Sequence, residues 1–455
     1  MTGIRMVQRR GLRIIAAIGG AAALLAVATS LAAQGETTSL SLDELGDPFD
    51  SSTFDVSFSR SGRYVSLSTT ASGLDPADTN GPSDVFVLDR KQNDLELVSR
   101  RSASQGGAVG NNASSKASIS ASGRYVAFQS ASSNLSNADQ TLGGEQIDVY
   151  VYDRKLDKVT LAARRGKSGP GADGESKDPS ISANGRYVAF ESEAENLTSA
   201  DDDPDPDIYV RDLKKGKTVL ASRKRRKGPD ANDDAVEAAL SADGSAVAFE
   251  TTATNLGGPT LDDQNAYVRD LEARRTELVS RASGKHGDGA NNTSNQPALS
   301  GNGRYVVFWT LGTNLSDADA NGGGADAYVY DRAKRKVELA SRKSASNGGQ
   351  GADGTTFAVD ISDSGRYVAF RSTATNLSSV DLDAVDDIFV RDRGQRETSL
   401  VSRVSGGGAG ADDDCFVPVI SPTGRYVGFL SVANNLSTDD DNAQQNAFSH
   451  DYLGP

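Results

Sequence analysis

The 455-residue chain has little of what most site chemistry is made from: one cysteine, two histidines, one tryptophan and two methionines. A single cysteine excludes an internal disulfide framework. A chain of this size can bury enough core to do without one. Two histidines, His286 and His450, leave little for a histidine-based triad or metal motif, and nothing pairs them in sequence. There is no G-x-S-x-G elbow, no H-E-x-x-H and no phosphate loop ending in Lys-Ser/Thr. A thiol nucleophile at Cys415 would want a His and a base network nearby. None is visible, so Cys415 reads as an incidental residue in the loop before the last repeat. Helical 3.6-residue periodicity is missing after the first 33 residues.

Those 33 residues stand apart. Arg5, Arg9, Arg10 and Arg13 precede an apolar stretch from Ile14 to Ala33 that ends in small residues around Ser30-Leu31-Ala32-Ala33. This is a secretory signal pattern, with cleavage expected after Ala32 or Ala33. Arg9-Arg10 raises twin-arginine export, and an uncleaved anchor is the alternative because about 20 apolar residues can span a bilayer. The expected location is exported: secreted or periplasmic, in the cell envelope. Residues 34–455 are expected to form one domain. The net charge is −14, and −18 without the four leader arginines. Such acidity argues against nucleic acid and anionic membranes as partners. The run Arg223-Lys224-Arg225-Arg226-Lys227 is a local exception, read as a solvated edge with a polyanion site as the alternative.

What the chain does have is a repeat. GRYVSL, GRYVAF, GRYVAF, GSAVAF, GRYVVF, GRYVAF and GRYVGF begin at Gly62, Gly123, Gly185, Gly244, Gly303, Gly365 and Gly424, 59 to 62 residues apart. Each copy also carries a dipeptide ending in Leu (Leu74, Leu135, Leu197, Leu256, Leu315, Leu377, Leu436) and a strand such as Asp148–Asp153, DVYVYD. Each has the punctuation of four strands. In the second copy these are one ending at Ile119-Ser120, then Arg124–Phe128, Asp148–Asp153 and Val159–Ala163. The middle strands are apolar on both faces, as in a sheet packed on both sides. No single repeat could bury those faces; a closed ring of seven could. The seventh copy stops after its third strand, and Thr37–Leu42 resembles a fourth strand. The expected fold is an all-β, seven-bladed propeller of four-stranded antiparallel blades, closed by an N-terminal strand.

The words S-A-x-G-R-Y-V-A-F and D-V-Y-V-x-D resemble the WD-repeat-like propeller repeats of TolB-family proteins, over almost the whole mature chain. The resemblance implies a binding scaffold of the envelope or exterior. The same repeat accompanies hydrolase domains in other proteins, but here no second domain follows the seven copies.

Strand order sorts the loops onto two faces. The short turns carry Arg63, Arg124, Arg186 and the Lys214-Lys215-Gly216-Lys217 run, whereas the long second-to-third-strand loops are rich in Asp, Asn and Gly. Function is expected on the long loops. A calcium-like spacing recurs there: Asp78, Asn80 and Asp84; Asp201, Asp203 and Asp207; Asp381, Asp383 and Asp387; with a one-residue slip, Asp317, Asp319 and Asn321, then Asp326; and nearly, Asp440, Asn442 and Asn446. Alternating Asx oxygens suit Ca²⁺. Asp and Asn also simply brace turns, so calcium is admitted without being required. Paired carboxylates are too common here to mark a glycosidase. The expected function is non-enzymatic: a monomeric scaffold whose acidic face binds a protein or envelope glycan. The alternatives are a secreted carbohydrate lyase or hydrolase and a calcium-dependent adhesion module. Trp309 reads as interblade packing.

Overall fold

A computed structural model describes residues 35–139, 146–201, 204–226, 228–257, 263–319, 321–381, 385–438 and 444–454. The leader, Asp203, Asp383, Asp440 and Asn442 therefore lie outside the described residues. Among the described residues, 28 strands form seven four-stranded antiparallel sheets. No helix among them is long and apolar enough to cross a membrane. The first blade runs Thr53–Phe58, Tyr64–Thr69, Asp84–Asp89, Asp94–Leu97, each strand bonded to the next. The seven-bladed propeller architecture implied by the repeat words is present blade for blade. The innermost strands, Thr53–Phe58, Ser114–Ile119, Ser176–Ile181, Ala235–Leu240, Ser294–Leu299, Thr356–Ile361 and Cys415–Ile420, touch their neighbours in turn, and the last touches the first.

The repeat words are interblade fasteners. In GRYVAF the Val and Phe are fully buried, and Phe128 stacks on Tyr150 of the next strand at 5.9 Å, as Phe190 does on Tyr209 at 6.0 Å. Gly123 has φ +74°, and a Cβ there would lie 2.2 Å from the Tyr64 ring of the preceding blade. Only glycine meets both demands. The same tyrosine is sandwiched between two guanidiniums, Arg63 of its own blade at 4.8 Å and Arg154 of the next at 4.6 Å. The arginine of the word also forks onto the aspartate ending the third strand: Arg63–Asp89, Arg124–Asp153, Arg186–Asp212, Arg304–Asp331, Arg366–Asp392 and Arg425–Asp451. These arginines are thus neutralised locally, and they do not make the short-turn face basic.

The last blade takes its outer strand from the N-terminus. Thr37–Ser39 pairs antiparallel with Asn446–Asp451, and the Leu40 amide donates to the Ala447 carbonyl at 2.7 Å. Only the first half of Thr37–Leu42 is regular strand. Phe58 stacks on Tyr426 at 6.3 Å, joining the first blade to the last.

Cys415 is not in a loop. It opens an innermost strand and is fully buried, where five of the other six blades have Ser or Thr, as in the Ser114–Ser130 and Ser176–Ser192 pairs across to the second strand. Its thiol reaches Ser431 Oγ at 3.3 Å, and burial pushes it well above the usual thiol range.

Candidate functional site

Two sets of polar groups deserve description: the long-loop rim and the wall of the central channel. On the rim, a turn recurs after the buried Leu. A hydroxyl or carboxylate one residue on caps a backbone amide, as Ser136 does for Ala138 at 3.1 Å and Ser316 for Ala318 at 3.1 Å. This presents an aspartate four residues after the Leu: Asp78, Asp139, Asp201, Asp319 and Asp381. The Asn before that Leu ties the loop to the preceding interblade segment, Asn134 Nδ2 to Val109 O at 2.8 Å and Asn376 Nδ2 to Gly351 O at 3.1 Å.

Facing this loop aspartate is the residue that heads the third strand. Asp84, Asp207, Asp326 and Asp387 are nearly wholly buried there and accept from Ser99, Ser222, Ser341 and Ser402. Asn80 Nδ2 bridges Asp84, at 3.0 Å, and Gly110 O, at 2.9 Å. Burial, opposed by the Ser99 and Asn80 bonds, pushes Asp84 up to about 6; burial and Asp139 push Asp148 up to about 8; burial and Asp319 push Asp326 up to about 8. Tyr209 and Tyr150 donate to Asp201 and Asp139. In the fifth blade the frame is Asp319, Asn321 and Asp326, with Asn321 Nδ2 on Gly354 O at 3.1 Å. Asp317 is exposed two residues upstream and takes no part in that grouping. Asp139 and Asp148 were missed in sequence because no further Asx follows Asp139 at the calcium-like offsets. The Leu-to-Asp spacing was the available signal.

The third blade adds a carboxylate. Asp230 stands at the position of Val109, Gly171, Gly289, Gly351 and Gly410 in the other interblade segments, and Asp201, Asp207 and Asp230 bring ligand oxygens within 4.8 Å of one another. The side chains nearest to this group are hard oxygen donors, which suit Ca²⁺, Mg²⁺ or Mn²⁺.

The channel wall is where the repeat breaks. Every innermost strand has a bulge. In six of them the bulged residue is a non-glycine in the left-handed region: Lys116, Asp178, Glu237, Gln296, Ala358 and Val417, with φ from 42° to 57°. Such backbone costs about 1–2 kcal/mol each and gathers at functional sites. Part of the cost is offset by capture of the bulge amide from the preceding blade. Gln129 accepts from Asp178 N at 2.9 Å, Glu191 from Glu237 N at 3.4 Å, and Glu250 from Gln296 N. Farther round, Trp309 and Arg371 stand where these acceptors do, each against a ring of the next blade. Trp309 meets Phe357 edge-on at 5.4 Å, and Arg371 lies 4.8 Å over Phe416.

The wall is consequently two-sided. Blades two to four carry Lys116, Lys177, Asp178, Glu191, Glu237 and Glu250, with Lys116 3.6 Å from Asp178 and Lys177 2.9 Å from Glu191. Burial, with Glu237 alongside, pushes Glu250 up to about 7. Blades six, seven and one carry Phe357, Phe416, Val417 and Phe54, the last two 45% and 44% exposed, and beside them Arg371, Asp360 and Asp55, the two acids accepting from Ile420 N and Lys116 N. At the short-turn end the first-to-second turns bond to one another, Arg60 N to Ala121 O and Ala121 N to Ala183 O, and Arg60 reaches Asp363, two blades away, at 2.6 Å. The wall therefore opens toward the long loops. His450 takes no part in it. It is buried at the N-terminal seam, 3.0 Å from Thr37 Oγ1, and burial with Arg403 nearby holds it down to about 4. His286 is exposed in its interblade loop.

No protein-family model matches the chain, and no curated protein matches its sequence. Among solved structures it is similar to an oligogalacturonate lyase in complex with manganese, at 11% identity over 93% of this chain and 98% of that one, TM-score 0.52. It is also similar to an oligogalacturonate lyase from Vibrio parahaemolyticus, at 10% identity over 92% and 98%, TM-score 0.52. A TolB from Acinetobacter baumannii matches at 13% identity over 82% and 77%, TM-score 0.38. What the two lyase likenesses establish is the propeller fold.

Proposed function

We propose that the protein is an exported, non-enzymatic scaffold. It holds a protein or envelope glycan at the channel mouth and on the acidic long-loop face around it. The observation that carries this reading is the uneven spread of the repeat-breaking side chains: an arc of charged groups opposite an arc that adds exposed rings, on strained backbone, open toward the long loops. A concave wall with apolar and polar sides suits a ligand that has both. Glu191 and Glu250 hold backbone amides and Asp178 pairs with Lys116, so none of the three stands poised beside a nucleophile. The test is binding of purified protein to panels of envelope glycans and peptides, comparing wild type with Phe357→Ala/Phe416→Ala and Lys116→Ala/Glu237→Gln. Loss of a bound ligand in both variants supports the reading; ligand retained by both counts against it. Turnover of a polysaccharide would instead favour the lyase or hydrolase alternative, with Glu250 as its base.

A second reading rests on Asp230. Three converging carboxylates make the third blade the best place for calcium or another hard divalent cation, which would brace the loop against the interblade segment. Calcium should raise the melting temperature of wild type and not of Asp230→Gly. Chelator-insensitive melting in both removes this reading.

A further inference from the structure

A second binding surface lies on the outer rim, away from the channel. Two clefts flank the third blade. The one shared with the second blade is lined by Lys158, Arg164, Lys167, Arg211 and Lys214; the one shared with the fourth by Lys215, Lys217, Arg223, Arg226, Arg269 and Arg274. The Lys214–Lys217 turn is the ridge between them. Of the carboxylates lining the clefts, Asp153 and Asp212 are paired with Arg124 and Arg186, Asp243 accepts from Ser241 and Ser245 N, and Glu272 sits at the edge of the second cleft.

The floor of each cleft holds a recessed guanidinium. Arg211 and Arg269 are each 4% exposed and donate only to carbonyls and a threonine hydroxyl: Arg211 to Arg164 O, Gly166 O and Thr218, Arg269 to Arg223 O and Thr276. Among the described residues neither has a carboxylate at ion-pair distance, and Arg211 Nε has no hydrogen-bond partner. Burial holds both down to about 10, so both stay charged at neutral pH. A buried cation without a counter-charge is costly, and an anion entering the cleft relieves that cost.

We infer that these clefts bind a flexible, linear, phosphate-bearing polymer, such as an anionic wall polymer or inorganic polyphosphate. Guanidinium forks suit phosphate. A slender chain can approach the recessed arginines, whereas a rigid duplex would meet the ridge lysines alone. On a chain of net charge −14, attraction is confined to this patch by screening.

The experiment measures affinity for medium-chain polyphosphate, poly(glycerol phosphate) and duplex DNA across a salt series. Wild type should bind one or both single chains and bind the duplex much more weakly; which single chain is held more tightly tells the two sources apart. Lys214→Gln/Lys215→Gln/Lys217→Gln should weaken binding on the order of 100-fold at low salt. It should also flatten the log–log salt slope by about 2, from three lost phosphate contacts. Lys334→Gln/Arg335→Gln/Lys336→Gln, the same charge change on the fifth blade, should leave both nearly unchanged. No binding to either single chain, equal loss in the two variants, or duplex bound as tightly as single chain overturns the inference.

Discussion

Ala163→Ser should stabilise the protein, and the reason is visible by comparing blades. In six of the seven blades a serine hydroxyl just past the fourth strand bonds to the head of the third strand. Ser99 donates to Asp84 Oδ1 at 2.6 Å and accepts from Val85 N at 3.0 Å; Ser341 does the same for Asp326 and Ala327 N. In the last blade Ser41, from the N-terminal segment, accepts from Ala447 N at 2.8 Å. The second blade has Ala163 at this place, fully buried. Asp148 is accordingly 0% exposed, and among the described residues neither of its oxygens is hydrogen-bonded. Restoring two bonds, one to a buried carboxyl, is worth about 2 kcal/mol net. With unfolding entropy near 2.1 cal/mol/K per residue over roughly 420 residues, that is a rise of about 2 °C in Tm. The pH dependence is a second readout. Asp148 is held at about 8, above its ordinary 3.8. The folded state thus keeps a proton that the unfolded chain releases, and stability falls as pH rises from about 4 to about 8. A donor favours the carboxylate, so the gain from Ala163→Ser should be larger at pH 8 than at pH 5. Calorimetry and urea melts at both pH values read it, with Ser222→Ala as the converse. No gain at either pH, or a larger gain at pH 5, refutes the reasoning.

Other predictions concern the seam, the thiol and the bulges. His450 sits below its ordinary 6.5, at about 4. Its contribution is therefore complete above pH 6.5 and is lost as pH falls toward 4, up to about 3 kcal/mol. Hydrogen exchange in Asn446–Asp451 should rise on acidification in wild type more than in His450→Gln. Cys415 should resist thiol reagents in native protein and react only as denaturant unfolds it; native labelling would contradict its burial. Val417→Asn should stabilise by about 1 kcal/mol in urea melts, because Asn tolerates the left-handed region that Val does not.

The propeller was legible because its fasteners are words in the chain. Gly123 and Tyr125 recur because the turn glycine of one blade receives the tyrosine ring of the blade before it, and interblade geometry repeats with the sequence. The third strand of the second blade, Asp148–Asp153, was placed to the residue because an aspartate heads it and another forks with Arg124. The channel wall was not legible for the opposite reason. Lys116, Asp178, Glu237, Gln296, Ala358 and Val417 share one backbone position and no chemistry, and only Asp178 is of a type that left-handed backbone favours. A left-handed bulge at Val417 has no signature in composition. Asp230 was equally hidden: it is one acid in an acidic chain until the fold sets it beside Asp201 and Asp207. Cys415 was placed in a loop because its strand, CFVPVI, contains a proline and lacks the Ser or Thr that opens most of the other inner strands.

The central claim is that the ligand sits where the repeat breaks, on the channel wall open to the long loops. A photo-crosslinking amino acid placed at Ala358, in the aromatic arc, and separately at Ser122, on a short turn, tests it in envelope fractions. The account predicts a discrete adduct from position 358 that disappears when Phe416→Ala is added, and none from position 122. An adduct from position 122 alone, or from both positions equally, would contradict it.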